Sequence, residues 1–360
     1  MLRSRLLLAA AALATLAACG SSTTESSSTT GGDGAGGGTA TGTGAQVGLP
    51  PGRPAEGKPG DGATVVMAID RLFLGDMNRD GTPNGQNGWK QYGFNLDGKV
   101  SDKAAKDLCR PAGGASPAQA YPDGNDGIDN SFGKNILPII LGLASDAGTK
   151  VNDSINKGSF TIMLAMDKLG SGKTYNPLAA KLYAGADLGG APKWDGTDEW
   201  PIRPELLSNP ADPTSSKVVF ANGYLTENTW VSGNKGDLTL SLSISGFTLD
   251  LKISSALLAV DLDAAHKAGS NGTIAGIIET EVLIAEIKKV AGAFDKTLCS
   301  GSTIDGIANQ LRQASDIMKD GSQDPAKTCD GISIGLGFSA KQVKLGKIAP
   351  ASTGAANPCQ

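Results

Sequence analysis

The sequence predicts a mainly β fold, an antiparallel β sandwich or jelly roll with a few peripheral helices. Three observations carry that expectation. In "DLTLSLSISGFTLDLKIS" the residues Leu238, Leu240, Leu242 and Ile244 alternate with polar ones, and Phe247, Leu249, Leu251 and Ile253 alternate in the opposite parity. Further segments rich in β-branched and apolar residues are spread over the whole length from residue 64 to residue 345. Helical spacing, by contrast, shows in only three places.

The parity flip at Ser245 and Gly246 specifies a two-residue hairpin turn. Such a turn pairs 244 with 247, 242 with 249, 240 with 251 and 238 with 253, which puts all eight apolar side chains on one face. The other strand candidates, in chain order, are 64–74, 160–169, 181–184, 218–225, 256–262 and 332–345. The first helical stripe is Ile136, Ile139, Ile140 and Leu143, with Pro138 tolerable in a first turn. The second is Leu283, Ile287, Val290 and Phe294. The third is Ile304, Ile307, Leu311 and Met318, preceded by Ser302 with Asp305 three residues on, close to a capping box.

At the amino end, Arg3 and Arg5 precede an apolar run, 6–16, that is too short to span a bilayer and has the charge layout of an export signal. Leu16, Ala17, Ala18 and Cys19 resemble the lipobox of bacterial lipoproteins, in which the cysteine thiol receives a diacylglycerol before cleavage on its amino side. That resemblance implies a signal peptide at 1–18, lipidation of Cys19 and membrane lipid as a partner; several buried acyl chains, at roughly 0.8 kcal/mol per methylene, make a stable anchor. Residues 19–62, Gly/Ser/Thr-rich, read as a disordered tether with a mean reach on the order of 35 to 40 Å. No linker splits 63–360, which reads as a single β-rich extracytoplasmic domain. With Gly20 after the lipidated cysteine, where aspartate is the familiar retention signal, the expected address is the bacterial cell envelope, as an outer-membrane lipoprotein on its periplasmic or surface face.

The formal charge is −4, and −6 once Arg3 and Arg5 are removed; no Lys/Arg cluster interleaves with aromatics, so nucleic acid is excluded as an expected partner. After Cys19 the cysteines are Cys109, Cys299, Cys329 and Cys359, an even number in an oxidising compartment, which reads as two disulfides. Of the three connectivities, Cys299 with Cys329 and Cys109 with Cys359 is the expected one, a staple across the third helix. The segment "DGIDNSFG" and the closing "CDGISIGLGFSAKQVKLG", together with the lipobox and tether, resemble lipoproteins of the myxobacterial kind. The resemblance runs through the domain and implies an address; it carries no catalytic residue over.

"GISIG" at 331–335 fits the nucleophile pattern of serine hydrolases, with Ser333 in place, but Ile332, Ile334, Leu336 and Phe338 alternate straight through it as in one continuous strand. "DKLGSGKT" ends like a phosphate loop but has Asp167 where the first glycine belongs; it reads as a glycine turn with an exposed Lys173. His266, the sole histidine, reads as a solvent-exposed loop residue, which excludes the usual histidine-rich zinc sites. In "WDGTDEW", Trp194 and Trp200 bracket Asp195, Asp198 and Glu199, an aromatic platform beside carboxylates. This is the possible ligand-binding segment, and a glycoside hydrolase or lyase would take its acid and base from it.

Two oxygen-rich segments suit Ca²⁺, the expected cofactor. In "GDMNRDGTPNGQNG", Asp76, Asn78 and Asp80 hold the first, third and fifth positions of a calcium loop, with Gly81 sixth, although Asn87 replaces the closing glutamate. In "YPDGNDGIDNSFG" the candidate ligands are Asp123, Asn125, Asp126, Asp129 and Asn130; without metal they serve turns and cap the following helix. The function expected from these residues is a lipid-anchored envelope protein that binds a glycan or an envelope protein or has a structural role, stabilised by Ca²⁺, rather than an enzyme. The alternative is a carbohydrate-active enzyme.

Overall fold

The computed structural model of the chain describes residues 48–143, 145–244, 247–294, 296–351 and 359. Its centre is one sheet of eleven strands: β1 (Ala63–Phe73), β2 (Thr161–Leu169), β3 (Ala180–Gly185), β4 (Glu199–Ile202), β5 (Val218–Phe220), β6 (Tyr224–Thr226), β7 (Thr229–Val231), β8 (Gly236–Ile244), β9 (Phe247–Leu262), β10 (Ala268–Glu279) and β11 (Gly331–Ile348). The order is β1-β2-β3-β4-β11-β10-β9-β7-β6, with β5 on β3 and β8 on β9. Every pairing is antiparallel except β4 with β11. Because β1 also pairs with β11, Val66 opposite Val343 and Phe73 opposite Gly337, the sheet closes on itself at that end. Five helices flank it: α1 (Pro117–Ala120), α2 (Leu137–Leu143), α3 (Ala147–Asn156), α4 (Thr280–Phe294) and α5 (Ser302–Gln313). Among the described residues no helix is long and apolar enough to cross a membrane.

Alternation along β11 explains the core. Ile332, Ile334, Leu336, Phe338 and Ala340 all face inward and are buried. Phe338 and Ala340 meet Met67, Leu164, Leu182, Leu258 and Ile274 from five other strands around a void of only about 20 Å³, so the side chains leave little space unfilled there. The hairpin registers as expected, Leu238 with Ile253, Leu240 with Leu251, Leu242 with Leu249 and Ile244 with Phe247; its turn residues, Ser245 and Gly246, lie outside the described residues. The buried leucines face α3 and α4, which pack on β8 and β9.

Several expectations need correction. The 218–225 candidate is two short strands, because Gly223 donates its N–H to Phe220 O and turns the chain. The 256–262 candidate is the second half of β9, whose first half forms the hairpin. β10 escaped the sequence reading because glycines interrupt its alternation; a side chain at Gly272 would collide with the Phe338 ring, and one at Gly276 with Ile253. Met318 lies beyond α5, and the residue flanking the start of that helix is Gly301, whose carbonyl accepts from Asp305 N, rather than Ser302.

The disulfides are Cys109–Cys329 and Cys299–Cys359, which overturns the expected pairing. The cause is backbone pairing across 220 residues: Arg110 N donates to Lys327 O (2.8 Å) and Cys329 N to Arg110 O (2.9 Å), which brings Cys109 beside Cys329. The end of the expected tether, Gly48 to Gly62, is also not loose. Gly48 O accepts from Asn95 N (2.7 Å), Pro51 O from the Tyr224 hydroxyl (2.6 Å) and Pro54 O from Asn176 Nδ2 (3.0 Å). The Arg53 guanidinium lies 4.7 Å over the Tyr224 ring. These residues are a strap laid on the sheet, held by Arg53, by the Asp61 carboxylate, which accepts from the Tyr175 hydroxyl, and by backbone hydrogen bonds.

Candidate functional site

The segment Asp123 to Asn130 divides by burial. Asn125 and Asp126 are exposed at its tip, Asp126 with φ 57°, while Asp129 and Asn130 are buried. The Asn130 amide is used up as a structural clasp: Nδ2 donates to Trp89 O, Tyr92 O and Gly335 O (3.1, 3.0 and 3.0 Å), and Oδ1 accepts from Gly133 N and Gly335 N. Gly335 has to be glycine here, since any side chain would run into the Tyr92 carbonyl. Asp129 Oδ2 accepts from Leu96 N (2.7 Å) and Asp97 N (3.3 Å), and Asp123 Oδ2 from Ser101 N (2.5 Å).

Asp97 and Asp316 complete a set of carboxylates whose charges act on one another. Burial drives the Asp129 carboxyl well above the usual range, and the charges of Asp97, Asp316 and Asp123 raise it further. Asp316 is pushed up to about 7, by burial first and then by Asp97, although Ser333 lowers it by donating Oγ (2.5 Å) and N (2.9 Å) to the carboxylate. Asp123 also reaches about 7, again mainly through burial. Burial lowers Lys134, a cation facing this set, whose ammonium donates to Pro122 O (3.0 Å). Among the described residues no group of three or more carboxylates, histidines or cysteines is placed to hold a metal ion.

The other oxygen-rich loop closes on itself. Asp80 Oδ1 accepts from Thr82 Oγ1 and N, which holds its carboxyl low, and Asn78 Oδ1 accepts from Asn84 Nδ2 and Gln91 Nε2. The Asp76 carboxylate lies against Gly148 in the first turn of α3, where the helix dipole favours negative charge. Arg79 anchors the loop to the sheet through Gly272 O and Thr273 Oγ1. The Phe73 and Tyr92 rings stack 5.8 Å apart, and each has a guanidinium over it, Arg71 over Phe73 and Arg79 over Tyr92.

The tryptophan segment is a folded loop. Trp200 is fully buried and donates Nε1 to Ala186 O (2.7 Å), and Trp194 packs on it at 5.4 Å. Asp198 accepts from Lys193 N and Trp194 N, Asp195 accepts from Thr197, and Glu199 begins β4. Ser333 lies in β11, 0% exposed. His266 is 5% exposed, not a surface residue as expected; its ring nitrogens sit 2.9 Å from Gly170 O and 3.3 Å from Asn228 Oδ1, so it joins three loops. Lys173 is exposed, as the glycine-turn reading requires.

A groove of about 690 Å³ lies elsewhere, against the polar residues of the hairpin. It is lined by Asp237, Leu238 and Thr239 of β8, Lys252, Ile253 and Ser254 of β9, Lys217 and Val218 at β5, and Leu206, Glu279, Val282, Lys319 and Asp320. Sequence reasoning missed it, because no motif marks residues gathered from six separate segments. Its apolar floor and charged rim suit a ligand of moderate size. No family model, no curated protein and no solved structure matches the chain.

Proposed function

We propose that this chain is a lipid-anchored protein of a bacterial cell envelope whose folded domain works by binding. The observation that carries the binding role is the groove at the hairpin, whose volume falls in the range of ligand sites. Anchoring rests on the resemblance of Leu16 to Cys19 to a lipobox. The carboxylates of the tryptophan segment support binding over hydrolysis in a specific way: Asp195 and Asp198 hold backbone amides of their own loop. Calcium belongs to the proposal only through the oxygen-rich composition of 76–80 and 123–130, because the described carboxylates are not grouped to hold an ion.

Mass spectrometry of the full chain purified from envelope membranes tests the reading. An acylated Cys19 and a co-purified molecule that Thr239→Trp displaces are the expected results. An unmodified Cys19 ends the anchoring claim, and hydrolysis of a polysaccharide panel that Glu199→Gln abolishes replaces binding with catalysis. A melting temperature indifferent to chelator and to added Ca²⁺ removes calcium.

A further inference from the structure

We propose that the Cys299–Cys359 bridge is a thiol–disulfide exchange site, opened by a dithiol protein of the Cys-x-x-Cys class that attacks the Cys359 sulfur. The two bridges of the domain differ in what surrounds them. Cys109 is 0% exposed and Cys329 5%, and Met318 packs on both. Cys109 N donates to Gln323 Oε1 (2.8 Å), and Cys109 O accepts from the Tyr121 hydroxyl (3.2 Å). A bridge so buried is shielded from a thiolate in solvent.

Cys299 and Cys359, by contrast, are both half-buried, and Lys296, Thr297 and Ser300 around them are exposed. Cys299 closes a 3₁₀ turn, Lys296–Cys299, in the connection between α4 and α5, and its bridge ties residue 359 to that connection. Access governs exchange, so exposed bridges are the labile ones and buried ones are structural.

The two sulfurs of the exposed bridge are unequal, and that decides which one is attacked. Side chains three residues apart in a 3₁₀ turn stand over one another, so Lys296 and Cys299 share a face. Lys296 makes no ion pair among the described residues, whereas Lys288 on α4 is paired with Asp305 at 3.7 Å. A free ammonium beside a sulfur stabilises negative charge on it. Cys359 Sγ lies 3.8 Å from Lys288 O, an acceptor that suits a neutral thiol and disfavours a thiolate. The leaving charge is therefore carried by Cys299.

The partner's thiolate bonds to Cys359 Sγ as the S–S bond breaks, and the electron pair of that bond leaves on Cys299. The partner's second thiol, deprotonated, then attacks its own sulfur in the mixed disulfide and releases Cys359. Two electrons pass to the bridge, the dithiol becomes a disulfide, and its two protons end on Cys299 and Cys359 by way of solvent. Opening unties residue 359 while Cys109–Cys329 stays closed.

The test incubates the full chain, folded and in detergent, with a Cys-x-x-Cys protein whose second cysteine is replaced by serine, which traps the mixed disulfide for peptide mapping. The expected adduct is on Cys359. With the intact dithiol and alkylation of the freed thiols, Cys299–Cys359 should open at least about tenfold faster than Cys109–Cys329. Lys296→Glu should slow that opening, and Lys296→Arg should keep it. The trapping arm needs no variant of this chain, so it stands however the variants fold. Two bridges that open together, an adduct on Cys299, no adduct at all, or a rate that Lys296→Glu leaves unchanged overturns the inference.

Discussion

Acidification should stabilise this domain over a range in which most proteins change little. Asp316 is 9% exposed and titrates at about 7 instead of the ordinary 3.8. A carboxyl raised in the folded state gives stability that is complete below its unfolded value and is lost as pH rises through its folded value. For Asp316 alone that difference is about 4 kcal/mol at the limit, since each pH unit is worth about 1.4 kcal/mol. Asp129 adds in the same direction, and Asp123, which solvent reaches, adds less. Carboxyls held low by surface partners, such as Asp80 and Asp195, act in the opposite sense but titrate below the ordinary carboxylate value, outside this range. In chelated buffer, calorimetry between about pH 8 and about pH 5 should show the melting temperature rising by roughly 5 to 10 °C toward acid, at about 2 °C per kcal/mol for a domain of this size. Asp316→Asn and Asp129→Asn should each flatten the slope. A flat or falling profile, or unchanged slopes in both variants, refutes the reasoning.

Non-reducing peptide mapping should recover Cys109 linked to Cys329 and Cys299 linked to Cys359. By the loop-closure argument the first, spanning 220 residues, contributes about 5 kcal/mol and the second, spanning 60, about 4 kcal/mol, so the Cys109→Ser/Cys329→Ser pair should melt lower than its counterpart. Asn130→Ala should cost at least about 3 kcal/mol in urea unfolding, because it strands three buried carbonyls and two amides. Arg53→Ala should cost about 1 kcal/mol and expose 48–62 to protease; a strap as resistant as before would mean that Arg53 does not hold it.

Local patterns were legible, and long-range pairings were not. The hairpin could be read because its parity flip is written within eighteen consecutive residues, "DLTLSLSISGFTLDLKIS". β11 was legible through its alternation, which also identified Ser333 as a strand residue. The disulfides were misread because Cys109 meets Cys329 through a backbone bridge that neither neighbourhood announces. The strap looked like tether because its bonds run largely through the backbone, with Arg53 and Asp61 beside them, which composition does not register. The acidic segment was noticed, but Asp97 and Asp316, which give it its electrostatics, stand far apart in sequence. The groove was invisible for the same reason: Lys217, Lys252 and Lys319 share no motif.

Native mass spectrometry of the full chain released from envelope membranes most directly tests the central claim of an anchored binding protein. The expected spectrum shows chains acylated at Cys19 carrying an additional bound mass, and the Thr239→Trp variant, equally acylated and equally stable, without that mass. A bare chain in both preparations, with or without acyl groups, contradicts the binding role.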